Sequence, residues 1–286
     1  RIENGARKLL TELPGNRLVR HLTGCALTYG CPAAKNLALG RFEAPLPTSR
    51  TCNARCVGCI SHQPEGSGFP STQNRIAFRP TEREVSDVMR RHAGKEKRAI
   101  LSFGQGCEGE PLTEAELIRK SVSLFRKAEG KPGPGRATVN VNTNASLTEV
   151  LPGLAEAGVN SIRVSLNSVR KEPYEAYYHP NGYAFEDVMA SIQAAKDAGL
   201  FVSLNLLYFP GLTDGELEWD ALAELIARTK LDFVQMRNMN LDPELMLRLM
   251  QGQEFGPCMG LANFLKRLRK ACPWIDFGYF NPYVTG

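Results

Sequence analysis

The sequence has no long apolar run, no recognisable leader and no strong excess of one charge. Across its 286 residues no apolar stretch approaches the roughly 20 residues that a membrane-spanning helix needs, and no secretory signal peptide opens the chain. We therefore expect a cytoplasmic protein without a membrane partner. Lys and Arg number 35 against 30 Asp and Glu, a net charge of +5. This excess permits an anionic substrate but does not indicate a nucleic-acid partner.

The sequence also lacks the even, closely spaced cysteines of a disulfide framework. Its eight cysteines include one dense group of three, and an odd local count cannot be fully paired. A reducing cytosol disfavours disulfides further. The other five stand apart along the chain: Cys25, Cys31, Cys107, Cys258 and Cys272. We expect buried thiols here. The open alternative is an auxiliary iron–sulfur or zinc site that Cys25 and Cys31 form with a distant partner.

The dense group is Cys52, Cys56 and Cys59, spaced Cys-x3-Cys-x2-Cys. A helix would place all three on one face as buried small residues. That stripe continues through the polar residues Thr48, Ser49, His62 and Gln63, which disfavours a core helix. A zinc site of the three cysteines and His62 stays open, because His62 follows at ligand spacing. A [4Fe–4S] cluster normally takes four thiolates, so three from one loop indicate an iron left open for a non-protein ligand.

Short apolar strands alternate with amphipathic helices from about residue 44 onward, which is the pattern of β/α units around a parallel sheet. The predicted strands enter or span 48–51, 99–103, 137–142, 161–166, 201–207 and 233–236. Helices between them begin with capping boxes, namely Thr81 with Glu84, Thr113 with Glu116 and Thr213 with Glu216. Successive right-handed units close toward a barrel. Six units predict an α/β fold, a partial (β/α)6 TIM-like barrel that is open on one side.

Two extensions flank this predicted barrel. Residues 1–43 are predicted as an N-terminal helical and loop extension, 44–240 as the barrel core, and 241–286 as a C-terminal extension that covers the open side. The last part contains a short apolar run, 275–280, that has the composition of a further strand. Catalytic groups in such barrels come from the C-terminal ends of the strands. The predicted strands here end in polar or glycine-rich residues, so we expect one site at that end.

The cysteine loop resembles that of the radical S-adenosylmethionine (radical SAM) superfamily, whose Cys-x3-Cys-x2-Cys signature is met in full. The resemblance implies that Cys52, Cys56 and Cys59 ligate a [4Fe–4S] cluster and that S-adenosylmethionine chelates its open iron. An external low-potential electron donor would reduce the cluster. Cleavage of the cofactor would give a 5′-deoxyadenosyl radical that abstracts hydrogen from a substrate. Such a protein is expected to be oxygen-sensitive.

The resemblance also assigns cofactor contacts to the other strand ends. Glu108-Gly109-Glu110-Pro111 is similar to the Gly-Gly-Glu-Pro motif that binds the methionine ammonium group, with Glu108 replacing the first glycine. Donors to the ribose hydroxyls and the carboxylate would be Asn142, Asn144, Ser165 and Asn167. Neighbours of the adenine would be Asn205 or Leu206 on the fifth strand, and Met236, Arg237 and Asn238 on the sixth. Binding an anionic substrate and closing a salt bridge are alternative roles for Arg237. The family commonly has an aromatic residue just before the third cysteine. This chain has Gly58 there, so we expect another part of the chain to pack the adenine.

The sequence predicts a radical SAM enzyme without naming its substrate, which is a small molecule or a peptide. A peptide- or protein-modifying maturase and a glycyl-radical activase are alternatives within this class. A non-catalytic iron–sulfur or zinc protein, serving electron transfer or assembly, is an alternative from another class, and it leaves the polar strand ends unexplained. The aromatic segment 174–183, which includes His179, is a candidate lining of the substrate pocket.

Overall fold

Seven parallel strands form a curled half-barrel. The computed structural model describes residues 1–68, 70–130, 136–239 and 241–284. The strands pair in chain order, each parallel to the next. They are β1 (Glu43–Pro45), β2 (Ile100–Phe103), β3 (Thr138–Thr143), β4 (Ser161–Leu166), β5 (Phe201–Tyr208), β6 (Phe233–Asn238) and β7 (Asp276–Gly278). Every residue of β2 and β3 is buried, as expected of a parallel sheet that is covered on both faces.

Helices follow the strands and cover the outside of the sheet. The first three belong to the N-terminal extension: α1 (Ile2–Glu12), α2 (Arg17–Leu27) and α3 (Pro32–Leu39). The rest are α4 (Glu82–Ala93), α5 (Ala115–Glu129), α6 (Leu151–Ala157), α7 (Lys171–Tyr178), α8 (Phe185–Asp197), α9 (Glu216–Thr229), α10 (Pro243–Leu249) and α11 (Gly260–Ala271). Short 3₁₀ turns span Pro111–Glu114 and Thr148–Val150. Within the described ranges, every helix is too short or too polar to span a bilayer.

The predicted partial barrel is confirmed, with one strand more than the six expected. Strands β2 to β6 coincide with their predictions to within two residues at either end. The first strand was placed too late, because the N–H groups of Thr48 and Ser49 donate to the Glu108 carboxylate instead of a neighbouring strand. The apolar run 275–280 supplies β7, which pairs with β6. The C-terminal segment therefore continues the sheet as well as flanking it.

Only the first of the three predicted capping boxes is confirmed, at Thr81 and Glu84 before α4. Helix α5 begins at Ala115, because a 3₁₀ turn capped by the Glu110 side chain takes up the residues around Thr113. Helix α9 begins after Gly215, and the Thr213 hydroxyl instead accepts a hydrogen bond from the N–H of Phe209. Both threonines stabilise the loops at the strand ends rather than the helices that follow.

The C-terminal segment reaches the inside of the half-barrel through Asn281. Its Nδ2 donates to Glu43 Oε1 at 2.7 Å and to Asn142 Oδ1 at 3.2 Å. Its Oδ1 accepts from Gln235 Nε2 at 3.0 Å. These bonds join β1, β3 and β6 through one buried side chain, so the segment closes part of the interior. Asn240, the last residue of the predicted core, lies outside the described residues.

Arg17 and Glu84 anchor the N-terminal extension to the barrel. The backbone N–H and the Nε of Arg17 both donate to Glu84 Oε1 at 2.9 Å, and its Nη2 donates to Oε2 at 2.7 Å. The same carboxylate accepts from the N–H of Thr81, the N-cap of α4. The hydrogen bonds from Arg17 lower the pKa of Glu84 to about 2. Glu84 thus stabilises both the first turn of α4 and the contact between α4 and α2.

Glu84→Ala is expected to lower the free energy of unfolding by about 1–2 kcal/mol, because it removes a cap and an ion pair together. The pKa of Glu84 is depressed in the folded protein, so its contribution is complete above the ordinary value of 4.5 and is lost as the pH falls toward 2. Urea unfolding at pH 7 and pH 3 measures both effects. Glu82→Ala, in the same helical turn, is the control. Equal losses in the two variants would contradict this role of Glu84.

Candidate active site

The cysteine loop follows β1 and is fixed by backbone hydrogen bonds to the end of α7. The N–H of Arg55 donates to the carbonyl of Tyr178 at 2.9 Å, and that of Val57 donates to the carbonyl of Tyr177 at 3.0 Å. Within the loop, the N–H of Cys59 donates to the carbonyl of Cys56 at 3.1 Å. None of these bonds involves a sulfur atom. The backbone therefore sets the loop's shape, and the thiols are left to bind a ligand.

The three cysteines line a cavity of about 350 Å³ at the carboxyl ends of the strands. All the predicted site residues line it except Asn167, Leu206, Met236 and Arg237. Those present, besides the cysteines and Asn238, are Glu108, Gly109, Glu110, Asn142, Asn144, Ser165 and Asn205. They come from the ends of β2, β3, β4 and β5 and from the loops that follow. The strand-end rule of parallel barrels thus accounts for their convergence.

The other predicted residues lie elsewhere. The Asn167 amide donates to the carbonyl of Pro173 and lines a separate small cavity. Leu206 belongs to the hydrophobic core, and Met236 packs against it. The Arg237 guanidinium lies 4.0 Å from the centre of the Tyr279 ring. On β6 it is Asn238 that lines the cavity.

Glu108 joins the loops after β1 and β2. Its carboxylate accepts from the N–H groups of Thr48 at 2.7 Å, Ser49 at 2.9 Å and Gly104 at 2.5 Å. Burial raises the pKa of the Glu108 carboxyl to about 7, against the opposing effect of these donors. All the donors belong to the protein, so Glu108 holds the cavity wall together.

Glu110 joins the loop after β2 to the end of β3 in a similar way. Oε1 accepts from the N–H of Leu112 and the hydroxyl of Thr143, and Oε2 accepts from the N–H of Asn144 at 2.8 Å. Burial raises the pKa of this carboxyl to about 7 as well. A cation that enters the cavity would favour the charged form and lower that pKa.

The asparagines at the end of β3 are largely engaged with the protein. Asn142 donates to the carbonyl of Phe103 at 2.7 Å. Asn144 donates to Asn53 Oδ1 at 2.9 Å and accepts from the N–H of Ser146 at 3.0 Å. They therefore fix the loop geometry around the cavity. Ser165 and Asn205 are less constrained, since their side chains meet at 3.5 Å.

Tyr177 occupies the space beside Gly58. A Cβ at Gly58 would lie 2.5 Å from the Tyr177 hydroxyl oxygen, so the glycine leaves the space that the tyrosine occupies. Tyr177 and Tyr178 both line the cavity from α7, and burial raises the pKa of each phenol. The aromatic segment 174–183 thus contributes to this cavity. His179 lines a different surface depression.

Two arginines of the cavity wall were missed at the level of the sequence. Arg163 lies on β4, two residues before Ser165 and therefore on the same face; this spacing was the available signal. Its Nη1 donates to Gln235 at 3.1 Å, and its buried Nε has no hydrogen-bond partner among the described residues. Burial lowers the pKa of Arg163 to about 10. Arg75, from the segment after the cysteines, places Nη2 at 3.8 Å from Cys59 Sγ.

The donor set suits a cluster better than a single ion. A zinc ion with Zn–S bonds of about 2.3 Å would hold its sulfur ligands about 3.8 Å apart. In the part of the chain that the structure describes, the three sulfurs are not gathered within 4.8 Å of one another, and His62 does not join them. Burial raises the pKa of Cys52 and Cys56, so a bound metal must supply the charge that stabilises their thiolates.

Comparisons with known proteins identify one family. The family model described as "Radical SAM superfamily" matches residues 46–223. A GTP 3′,8-cyclase of Corynebacterium glutamicum (strain R) is 28% identical over 90% of this chain and 69% of its own length. Molybdenum cofactor biosynthesis protein 1 of Bos taurus is 29% identical over 65% of this chain, which spans only 28% of that protein.

Solved structures share the fold. A radical SAM methyltransferase from Sphaerobacter thermophilus gives a TM-score of 0.55 at 17% identity, covering 84% of this chain and 67% of that chain. At this identity the likeness concerns the architecture alone. The chemistry must therefore be argued from the cavity.

Proposed function

This chain belongs to the radical SAM superfamily, and from that premise we propose that it uses a [4Fe–4S] cluster to cleave S-adenosylmethionine and acts on a small anionic substrate. The observation that carries the proposal is the convergence of Cys52, Cys56 and Cys59 with the polar ends of four strands on one cavity. The chemistry that the two groups supply when bound is one-electron cleavage of a sulfonium and abstraction of hydrogen.

The chain's own residues would hold these groups in defined positions. Cys52, Cys56 and Cys59 are assigned to the cluster. The Glu110 carboxylate, which is fixed by three protein donors, is assigned to the ammonium group of the methionine moiety. Tyr177 from α7 is assigned to the adenine side of the cavity. Each assignment uses a group whose position is set by the backbone, as catalysis by orientation requires.

An anionic substrate is favoured by the charge of the cavity, whose volume of about 350 Å³ lies within the range for ligand pockets, about 300–1,000 Å³. Both glutamates are engaged with backbone donors. Arg75 and Arg163 face the cavity with guanidinium groups, and Arg163 retains an unpartnered donor. The net charge of the lining groups that remain for a ligand is positive.

GTP is the first substrate to test, because the relative that covers most of this chain bears the name GTP 3′,8-cyclase. A triphosphate carries the anionic groups that arginine binds in bidentate fashion. An external low-potential electron donor is a further part of the proposal. It would deliver its electron from the side of the cysteine loop, where Ile60 is exposed.

Anaerobically purified and reconstituted protein is expected to convert S-adenosylmethionine into 5′-deoxyadenosine and methionine when dithionite is added. Both products are measured by liquid chromatography with mass detection, with and without GTP, and ATP serves as the matched nucleotide control. Faster product formation with GTP and loss of GTP would support the nucleotide assignment. If a fully loaded cluster yields neither product, the proposed cleavage is wrong.

A further inference from the structure

A second group of metal-binding side chains joins the N-terminal extension to the barrel. His21 and Cys25 lie one turn apart on α2, on the same helix face. Cys107 lies in the loop after β2. The ligand atoms of these three residues all lie within 4.8 Å of one another, and His21 Nε2 is 3.5 Å from Cys25 Sγ. Residues far apart in the sequence thus bring two thiols and an imidazole to one point.

Burial distinguishes this group from ordinary surface cysteines. Cys25 is 2% exposed and Cys107 is 3% exposed. The apolar residues that pack with them are Ala26, Ala34, Ile2 and Cys31. Cysteines that serve as core residues pack among larger alkyl groups, whereas these two face each other and a ring nitrogen. Two thiols and an imidazole nitrogen therefore lie together at a largely buried point.

The donor set is typical of zinc. Sulfur and imidazole ligands in a closed, four-coordinate arrangement characterise structural zinc sites. The separation of 3.5 Å between His21 Nε2 and Cys25 Sγ is about the edge of a tetrahedron with Zn–S bonds of about 2.3 Å and Zn–N bonds of about 2.0 Å. Cys31 would add a third sulfur as the fourth ligand, although its Sγ is not within 4.8 Å of all three ligand atoms. It begins α3, packs against the same group, and its N–H donates to the carbonyl of Cys25 at 3.1 Å.

The local electrostatics favour a thiolate at Cys25. Hydrogen bonds from Cys107 and His21 lower the pKa of the Cys25 thiol well below its ordinary value. The same contact and burial raise the pKa of Cys107.

We propose that His21, Cys25 and Cys107 bind a zinc ion in a structural site that fastens the N-terminal extension to the loop after β2, with the neighbouring Cys31 side chain turning toward the ion as the fourth ligand. The site shares no ligand with the loop of Cys52, Cys56 and Cys59. Cys107 directly precedes Glu108, whose carboxylate holds the loop after β1. A zinc ion here would stabilise the loop that carries Glu108, a residue of the cavity wall.

Metal analysis of anaerobically purified full-length protein tests the site. Zinc is expected at one ion per chain, and it should persist in the triple variant Cys52→Ala/Cys56→Ala/Cys59→Ala, which lacks the other proposed metal ligands. Cys25→Ser and Cys107→Ser are expected to lose the zinc. Cys272→Ser is the matched control, because Cys272 is equally buried but lies outside the group, and it should keep the metal.

A second measurement remains decisive if a serine variant fails to fold. The chelator-treated triple variant Cys52→Ala/Cys56→Ala/Cys59→Ala is titrated with Co²⁺, and thiolate-to-cobalt charge-transfer absorption is expected to appear and to vanish when Zn²⁺ is added. His21→Gln should alter that spectrum. Three results would overturn the proposal: no zinc in the wild type, zinc retained in both serine variants, or a Cys25–Cys107 disulfide found by thiol alkylation. None of these depends on cleavage of S-adenosylmethionine, so the two proposals fail independently.

Discussion

Alanine at any one of Cys52, Cys56 and Cys59 is expected to abolish the formation of 5′-deoxyadenosine and methionine. Among the described residues, three protein sulfurs line the cavity, and a cluster that already leaves one iron open cannot lose a second ligand and keep a defined geometry. Product analysis under anaerobic conditions, together with iron content and visible absorption, measures the effect. Iron and both products should fall to background in each variant.

These variants are expected to fold. The hydrogen bonds of Arg55 and Val57 to the end of α7 fix the loop backbone without any sulfur atom, so the metal-free variants should have the melting temperature of the metal-free wild type. Cys258→Ala is the control, because Cys258 is exposed and lies outside the cavity, and it should retain iron and both products. A triplet variant that still cleaves the cofactor would remove the basis of the cluster assignment.

The fold was largely predictable because its signal is local. Strands β2 to β6 are apolar runs between helices with regular periodicity, and alternation of this kind specifies a parallel β/α array. The exception, β1, shows the limit of such a pattern. Thr48 and Ser49 favour a strand by composition, yet a glutamate some sixty residues later takes their N–H groups. A long-range polar contact of this kind has no sequence periodicity.

The candidate site was also predictable only in part. The strand-end rule places Glu110, Asn144 and Ser165 together without knowledge of their contacts. The role of Gly58 could not be inferred, because the side chain that fills its place is Tyr177 on a distant helix. The sequence also could not identify Cys107 as the distant partner of Cys25, because the two belong to separate parts of the chain. Pairings between separate loops depend on tertiary packing, which spacing along the chain does not encode.

Gly109→Ala is expected to disrupt the cavity as severely as the loss of a cysteine does. The cause is a clash with the main chain of a neighbouring loop. A Cβ at position 109 would lie 1.8 Å from the carbonyl oxygen of Thr51. That oxygen also accepts the N–H of Glu110 at 2.9 Å, and the N–H of Gly109 donates to the carbonyl of Ser49 at 2.8 Å. The obstacle is main chain, so no side-chain rotation relieves it. The loop after β2 must move away from the residue that precedes Cys52.

The movement is expected to cost about 3 kcal/mol of stability, at the upper end for overpacking of a buried position, and to separate Glu110 from the cysteine loop. Thermal unfolding of the metal-free protein measures the first effect, and iron retained after reconstitution measures the second. Gly153→Ala is the matched control, because the nearest atom to its Cβ, Arg119 Cδ, lies 3.9 Å away and alanine suits that position in α6. A Gly109→Ala protein with wild-type melting temperature and iron content would mean that the two loops can separate without consequence, and the cavity would then not depend on their close contact.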